Sequence, residues 1–188
     1  IPNARLVAVS DVYLDAAKKA SADFGIPNVY ESHQPILDNP DIDAVAICTV
    51  SDTHAPLITE AAKAGKHIFC EKPIALDLAK IDAALGTVKQ HKVKLQVGFN
   101  RRFDANFKGV RDVVQKGGIG EPRILRITSR DPAPPPLEYV KNSGGIFLDM
   151  TIHDFDMVRF LSGSEAVEVF AMGASLVDPE IGRAGDVD

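Results

Sequence analysis

Between Arg5 and Val97, short apolar runs alternate with stretches of helical periodicity, and few architectures accept that order. Arg5 to Ser10 is a β run ending at Asp11, followed by the helical pattern Ala16, Ala17, Ala20, Phe24, closed by Gly25. Asp43 to Cys48 is nearly continuous apolar sequence, the mark of a strand buried on both faces, and Pro56 to Ala64 reads as a helix stopped by Gly65. His67 to Cys70 and Lys94 to Val97 read as two more strands around a helix from Asp77 to His91. Strands alternating with helices of this length describe βαβ units, and hence an α/β fold with a doubly wound parallel sheet. Right-handed crossovers then set the carboxyl ends of the strands along one edge, where such sheets bind ligands.

After Gly98 the alternation fades. Phe103 to Lys116 reads as a helix ended by Gly117-Gly118, Arg123 to Ser129 as an alternating strand, and Asp131 to Pro136 as a stiff proline-rich loop. A helix running to Leu161 and a further alternating strand from Ala166 to Ala174 complete the pattern. This order predicts part of an α+β domain with a mostly antiparallel open sheet. The expected division is 1–98 and 99–188.

A formal charge of −5 argues against a nucleic-acid or anionic-membrane partner, either of which wants a basic face. The longest unbroken apolar stretch, Ala44 to Cys48, is far short of a membrane span, no signal-peptide pattern is visible, and a cytoplasmic location is the default expectation. Cys48 and Cys70 lie at two strand ends without metal-ligand spacing; they read as small core or near-site residues, and no metal site is expected. The chain starts Ile1-Pro2-Asn3 without methionine and stops just after a predicted strand, so both ends are expected to be cut.

The densest chemistry lies in Gly144 to Asp156. Read as one helix, Asp149, His153 and Asp156 stand at i, i+4 and i+7 and share one face. An imidazole between two carboxylates makes an orientable acid/base, although a solvated face carrying a histidine between two acids has the same spelling. Elsewhere, Asp11 sits where a strand of a nucleotide-binding half ends, the place for an acid that accepts from an adenosine ribose and repels a 2′-phosphate; a helix N-cap is the competing reading. The hydroxyls of Thr49 and Ser51, with His54, suit a cofactor lining, and Ser51 or Asp52 suits a cap equally well. Glu71-Lys72-Pro73 ends a strand at the ligand edge, where a lysine can hydrogen-bond an alkoxide and relay a proton. Lys72-Pro73 is trans by base rate, while a cis bond would turn the lysine toward the ligand edge. Of Arg101 and Arg102, one is expected in a structural ion pair and the other facing substrate.

Val9-Ser10-Asp11, Ser51 to His54, Glu71-Lys72-Pro73, Gly98 to Asp104 and Ser143 to Asp156 together resemble the glucose-fructose oxidoreductase / inositol dehydrogenase / rhizopine-catabolism (Gfo/Idh/MocA) family along the whole chain, most closely its inositol 2-dehydrogenase branch. The resemblance implies a Rossmann-type NAD-binding domain followed by a domain built on an open sheet. It implies NAD as cofactor and oxidation of a ring hydroxyl of a cyclic polyol, with myo-inositol going to its 2-keto form. On matching positions it makes Lys72, Asp149 and His153 catalytic or substrate-binding, with Asp156 orienting His153 and Arg102 joining Asp149 and His153 around substrate. Cofactor contacts would come from Asp11, Thr49, Ser51, His54, Glu71 and Lys72. It further implies a homo-oligomer, a homotetramer, formed through the C-terminal sheet. Relative to the family, the opening strand with its glycine-rich turn would lie before Ile1, and Ser51 stands where relatives often carry Asn. Another sugar dehydrogenase of the family, or a catalytically silent binding module, remains an alternative reading.

Overall fold

The computed structural model describes residues 3–187. Its contacts divide the chain into two compact units: Ile1–Cys48, Thr53–Cys70 and Ala79–Gln96 in the first, and Thr49–Asp52, Glu71–Leu78 and Val97–Asp188 in the second.

In the first unit the order is β1 (Ala8–Ser10), α1 (Leu14–Phe24), β2 (Asn28–Tyr30), α2 (Gln34–Asp38), β3 (Ala44–Ile47), α3 (His54–Lys63), β4 (His67–Cys70), α4 (Leu78–His91) and β5 (Leu95–Val97). Gly25 ends α1 in the left-handed region (φ 66°), where glycine carries no Cβ penalty, and its N–H caps Ser21 O. β1 and β2 pair in parallel from Ala8↔Asn28 to Ser10↔Tyr30. β3 and β4 pair in parallel from Ala44↔His67 to Ile47↔Cys70, and β5 lies on the other side of β4. The parallel α/β order read from the sequence is therefore present. α3 packs on β3 and β4, and the residues it buries, Ala55, Ile58, Ala61 and Ala62, recur at helical spacing. Fully burying a side chain such as Ile58 is worth roughly 1.5–3 kcal/mol.

β3 departs from expectation. Only Ile47 is buried, because β3 is the edge strand of its three-stranded sheet. Cys70 is fully buried, as a core residue should be, whereas Cys48 is exposed.

The second unit carries 3₁₀ turns at Ser51–Thr53 and Asn100–Phe103, then α5 (Ala105–Gln115), α6 (Leu137–Ser143), α7 (Gly145–Asp149), α8 (Ile152–Ser162) and α9 (Pro179–Arg183). Asp104 starts α5 by accepting from the N–H groups of Asn106 and Phe107. α5 packs against α8, and Phe160 of α8 lies under two guanidinium groups, Arg111 at 4.3 Å and Arg102 at 5.3 Å from the ring centroid.

Two expectations fail here. The mostly antiparallel open sheet is absent among the described residues; the sheets present are parallel, and residues 121–130 and 163–176 form no ladder. Alternating side chains specify a face, but a strand also needs a neighbouring strand to bond its backbone N–H and C=O groups in a ladder, and among the described residues these segments lie in no sheet. The single helix through Asp149, His153 and Asp156 is instead two. α7 ends at Asp149, the N–H groups of Met150 and Thr151 both donate to Ile146 O, and α8 starts at Ile152.

The entry to α7 needs its two glycines. Gly144 and Gly145 hold φ values of 84° and 77°. A Cβ on Gly145 would stand 2.7 Å from Asp186 Oδ1, and that carboxylate accepts from Ile146 N–H at 3.0 and 3.1 Å. Among the described residues no helix is long and apolar enough to cross a membrane, and no cluster of three metal-ligating side chains occurs.

Candidate active site

Lys72 follows the last residues of β4 and precedes a cis bond to Pro73. Its ammonium donates to the backbone oxygen of Asp149 at 2.6 Å and to Asp149 Oδ1 at 2.8 Å. The first of these bonds satisfies a carbonyl left over at the end of α7, and the second forms an ion pair whose side chains are 18% and 27% exposed. Tyr139 of α6 donates its phenol to the same Oδ1 at 2.8 Å.

His153 stands on the first turn of α8, its ring edge-to-face with Phe99 at 6.3 Å between centroids. Burial, first, and then the positive charges of Lys72 and Arg101 hold its pKa below the usual imidazole value, against the pull of Asp154 and Asp149. The imidazole is therefore neutral at pH 7, the form a general base requires.

Two expected roles change. Asp156 does not orient His153. It is buried, and its carboxylate takes Nε of Arg102 at 3.0 and 2.8 Å and Nη2 at 2.6 Å, while His153 Nδ1 is buried without a hydrogen-bond partner. Arg102 thus holds a structural pair through Nε and Nη2, with its pKa raised by the hydrogen bond to Asp156. His153 and Asp156 lie three residues apart within α8, and it is the claim of Arg102 on the Asp156 carboxylate that changes the role. Arg101 is also paired, with Asp154, which accepts from Ser129 Oγ at 2.7 Å as well. Both arginines are thus in ion pairs.

Among the expected cofactor contacts, Asp11 is exposed one residue past β1. Its Oδ1 accepts from Tyr13 N–H at 2.8 Å, which steadies the carboxylate and leaves Oδ2 available to a ribose diol, so the residue fits a dinucleotide. It is not the N-cap of α1, which is Tyr13. In the second unit Thr49 is exposed and Ser51 half-buried. Glu71 lies over Gly98, where an added Cβ would meet Glu71 Oε2 at 2.7 Å and displace the end of that side chain. His54 is 1% exposed at the start of α3 and offers a ligand no surface; burial makes it a core residue.

Tyr139, Asp154 and Ser129 are not marked as site residues by the sequence, whereas Arg101 is expected either in an ion pair or facing substrate. Nothing local links Tyr139 to Asp149 ten residues on, and Asp154 was hidden in a run rich in acids. An open groove of about 780 Å³ in this unit runs along Arg101, Ser129, Arg130 and Met150, and neither Lys72, Asp149 nor His153 lines it.

The parallel βα order of the first unit is that of a Rossmann-type fold. The chain belongs to the Gfo/Idh/MocA family: the profile for the oxidoreductase family with an NAD-binding Rossmann fold matches residues 1–99, and that for the GFO/IDH/MocA C-terminal domain matches residues 107–188. Myo-inositol 2-dehydrogenase of Thermotoga maritima is 52% identical over 188 residues, 100% of this chain and 56% of the relative. Among solved structures, a putative myo-inositol dehydrogenase from Sinorhizobium meliloti is 54% identical with a TM-score of 0.97, covering 100% of this chain and 56% of that one. The scyllo-inositol dehydrogenase of Lactobacillus casei, with bound NAD(H) and scyllo-inositol, is 37% identical with a TM-score of 0.86, covering 100% and 57%. The chain spans about half the length of the curated relatives it matches.

Proposed function

We propose that this chain carries the reacting groups of an NAD-dependent inositol 2-dehydrogenase that oxidises a ring hydroxyl of a cyclic polyol, myo-inositol to its 2-keto form. The observation that carries the reading is the convergence of Lys72 on Asp149 beside a neutral, partly buried His153. Lys72 has three protons and spends two on Asp149, so the third is available to the oxygen of the reacting carbinol. A cation there stabilises the alkoxide as it forms. His153 takes the hydroxyl proton. Asp149 grips a neighbouring hydroxyl, so that the ring is oriented before reaction. When bound, NAD supplies the hydride acceptor. Asp11, Thr49, Ser51, Glu71 and Lys72 are the proposed cofactor contacts, residues 1–98 forming the cofactor half and 99–188 the substrate half. The reading also places the enzyme in the cytoplasm as a homo-oligomer. Support for the polyol class comes from the inositol dehydrogenases among the relatives.

The test is a full-length enzyme carrying His153→Ala, assayed on myo-inositol, scyllo-inositol and other sugars with NAD and with NADP. Loss of the acid/base group should lower turnover by about 10² to 10⁴ while NAD affinity stays near wild type. Wild-type turnover in His153→Ala would sink the assignment of the base, and a preference for a different sugar would move the substrate elsewhere in the family.

A further inference from the structure

Asp149 spends one carboxylate oxygen on two donors. Lys72 Nζ and Tyr139 OH both reach Oδ1 at 2.8 Å, and among the described residues Oδ2 takes no hydrogen bond. The donors come from different elements, the turn after β4 and helix α6. A lysine on a flexible four-carbon stem is a point charge and sets the direction of its partner weakly, whereas a phenol on a rigid ring fixes both. Two donors on one oxygen fill its lone pairs and set the plane of the carboxylate, so the other oxygen is presented to whatever approaches. An ionised carboxylate only accepts, so the group that Oδ2 holds must be a donor, such as a ring hydroxyl.

We infer that Tyr139 is a positioning residue: with Lys72 it locks Asp149 through Oδ1, so that Oδ2 grips a hydroxyl adjacent to the reacting carbinol. This rests on the polyol-oxidising reading above. The phenol is suited to the task because it does not ionise in the working range. Desolvation, followed by the bond to Asp149 and its charge, pushes its pKa up to about 12. The other charge on Asp149 is Lys72, on its own oxygen, and the titratable group that faces it besides is the imidazole of His153.

The experiment is Tyr139→Phe in the full-length enzyme, which removes one oxygen from a half-exposed ring and leaves the packing in place. A hydrogen bond to a charged group is worth enough to change KM for the polyol about tenfold. The expected result is that rise, with kcat altered less than about threefold, and with KM for NAD, the melting temperature and the acid limb of the pH profile unchanged. Mono-deoxyinositols supply the readout that a packing role would not move. For the one lacking the gripped hydroxyl, wild type and Tyr139→Phe should show the same KM. An unchanged KM in an active enzyme, or an equal penalty on every deoxy substrate, overturns the inference and leaves the functional reading standing. A wild-type enzyme that oxidises no inositol overturns both.

Discussion

His153 is where the charge of single residues decides most. Its environment disfavours the imidazolium, first by burial and then by the cations of Lys72 and Arg101. The unperturbed histidine value is about 6.5, so the base is already neutral at pH 7 and kcat/KM should fall only on the acid side of that value. The same depression acts on stability. A folded-state pKa below the unfolded one gives a contribution fully present above about pH 6.5 and lost as pH falls through the folded value. Arg101→Gln removes one cation and frees the opposing Asp154, so the acid limb of kcat/KM should move upward toward 6.5, as a pH–rate profile of the two enzymes would reveal. An unmoved limb would mean that burial alone sets the titration. Lys72 stands out in the sequence because an ionisable residue beside proline at the ligand edge of a sheet is a poor choice for structure alone, and Asp149 and His153 stand out by their spacing and by the family resemblance. Tyr139 does not, because its bond to Asp149 depends on how α6 packs beside α7, and no spacing rule reports that.

At the scale of elements, the parallel strands and α1, α3, α4 and α5 could be read because periodicity and stop signals are local. Gly25 closing α1 is an example. β2, whose Asn-Val-Tyr holds a single aliphatic residue, and the five-residue helices α2 and α9 fall below what a periodic pattern can mark. The break at Met150-Thr151 was missed because both residues are compatible with helix, and it sets Asp149 on a different helix from His153 and Asp156. Asp156 ties α8 to the turn before α5, through a bidentate bond from Arg102, whose guanidinium also lies over Phe160. This pair holds the helix that carries the base. Arg102→Met would leave a carboxylate that is 6% exposed without its cation. Breaking a fully buried pair costs about 3–5 kcal/mol, and since Arg102 is itself 39% exposed the loss should be nearer 2 kcal/mol. Thermal or urea unfolding measures it. KM for the polyol should stay unchanged at temperatures where the variant is folded, and a large rise in KM without lost stability would restore Arg102 to the substrate.

For the molecule as a whole, the two units differ in how far sequence order encodes pairing. In the first, the steps from β1 to β2, β3 to β4 and β4 to β5 each place a strand beside the one before it, so order along the chain predicts most of the pairing. In the second, the alternation at residues 123–129 and 166–174 predicts a face and says nothing about the strand that would lie beside it. The outcome is an unusual surface for a protein: Ile124, Val167, Val169, Phe170 and Met172 are all exposed, Val167 by 95%. Exposed apolar side chains on segments that lie outside any sheet are prone to association. The 188-residue chain should therefore associate with increasing concentration, which sedimentation velocity detects. A double substitution, Val169→Asp with Phe170→Asp, places charge on both faces of the stretch and should return the chain to monomer at the same concentrations. Neither residue is near Lys72, Asp149 or His153 in sequence, and the melting temperature should change little because both side chains are exposed in the fold. Association that persists unchanged in the double variant would mean that another surface drives it, and a wild-type chain that stays monomeric would show that the exposed stripe is covered in solution by the chain itself.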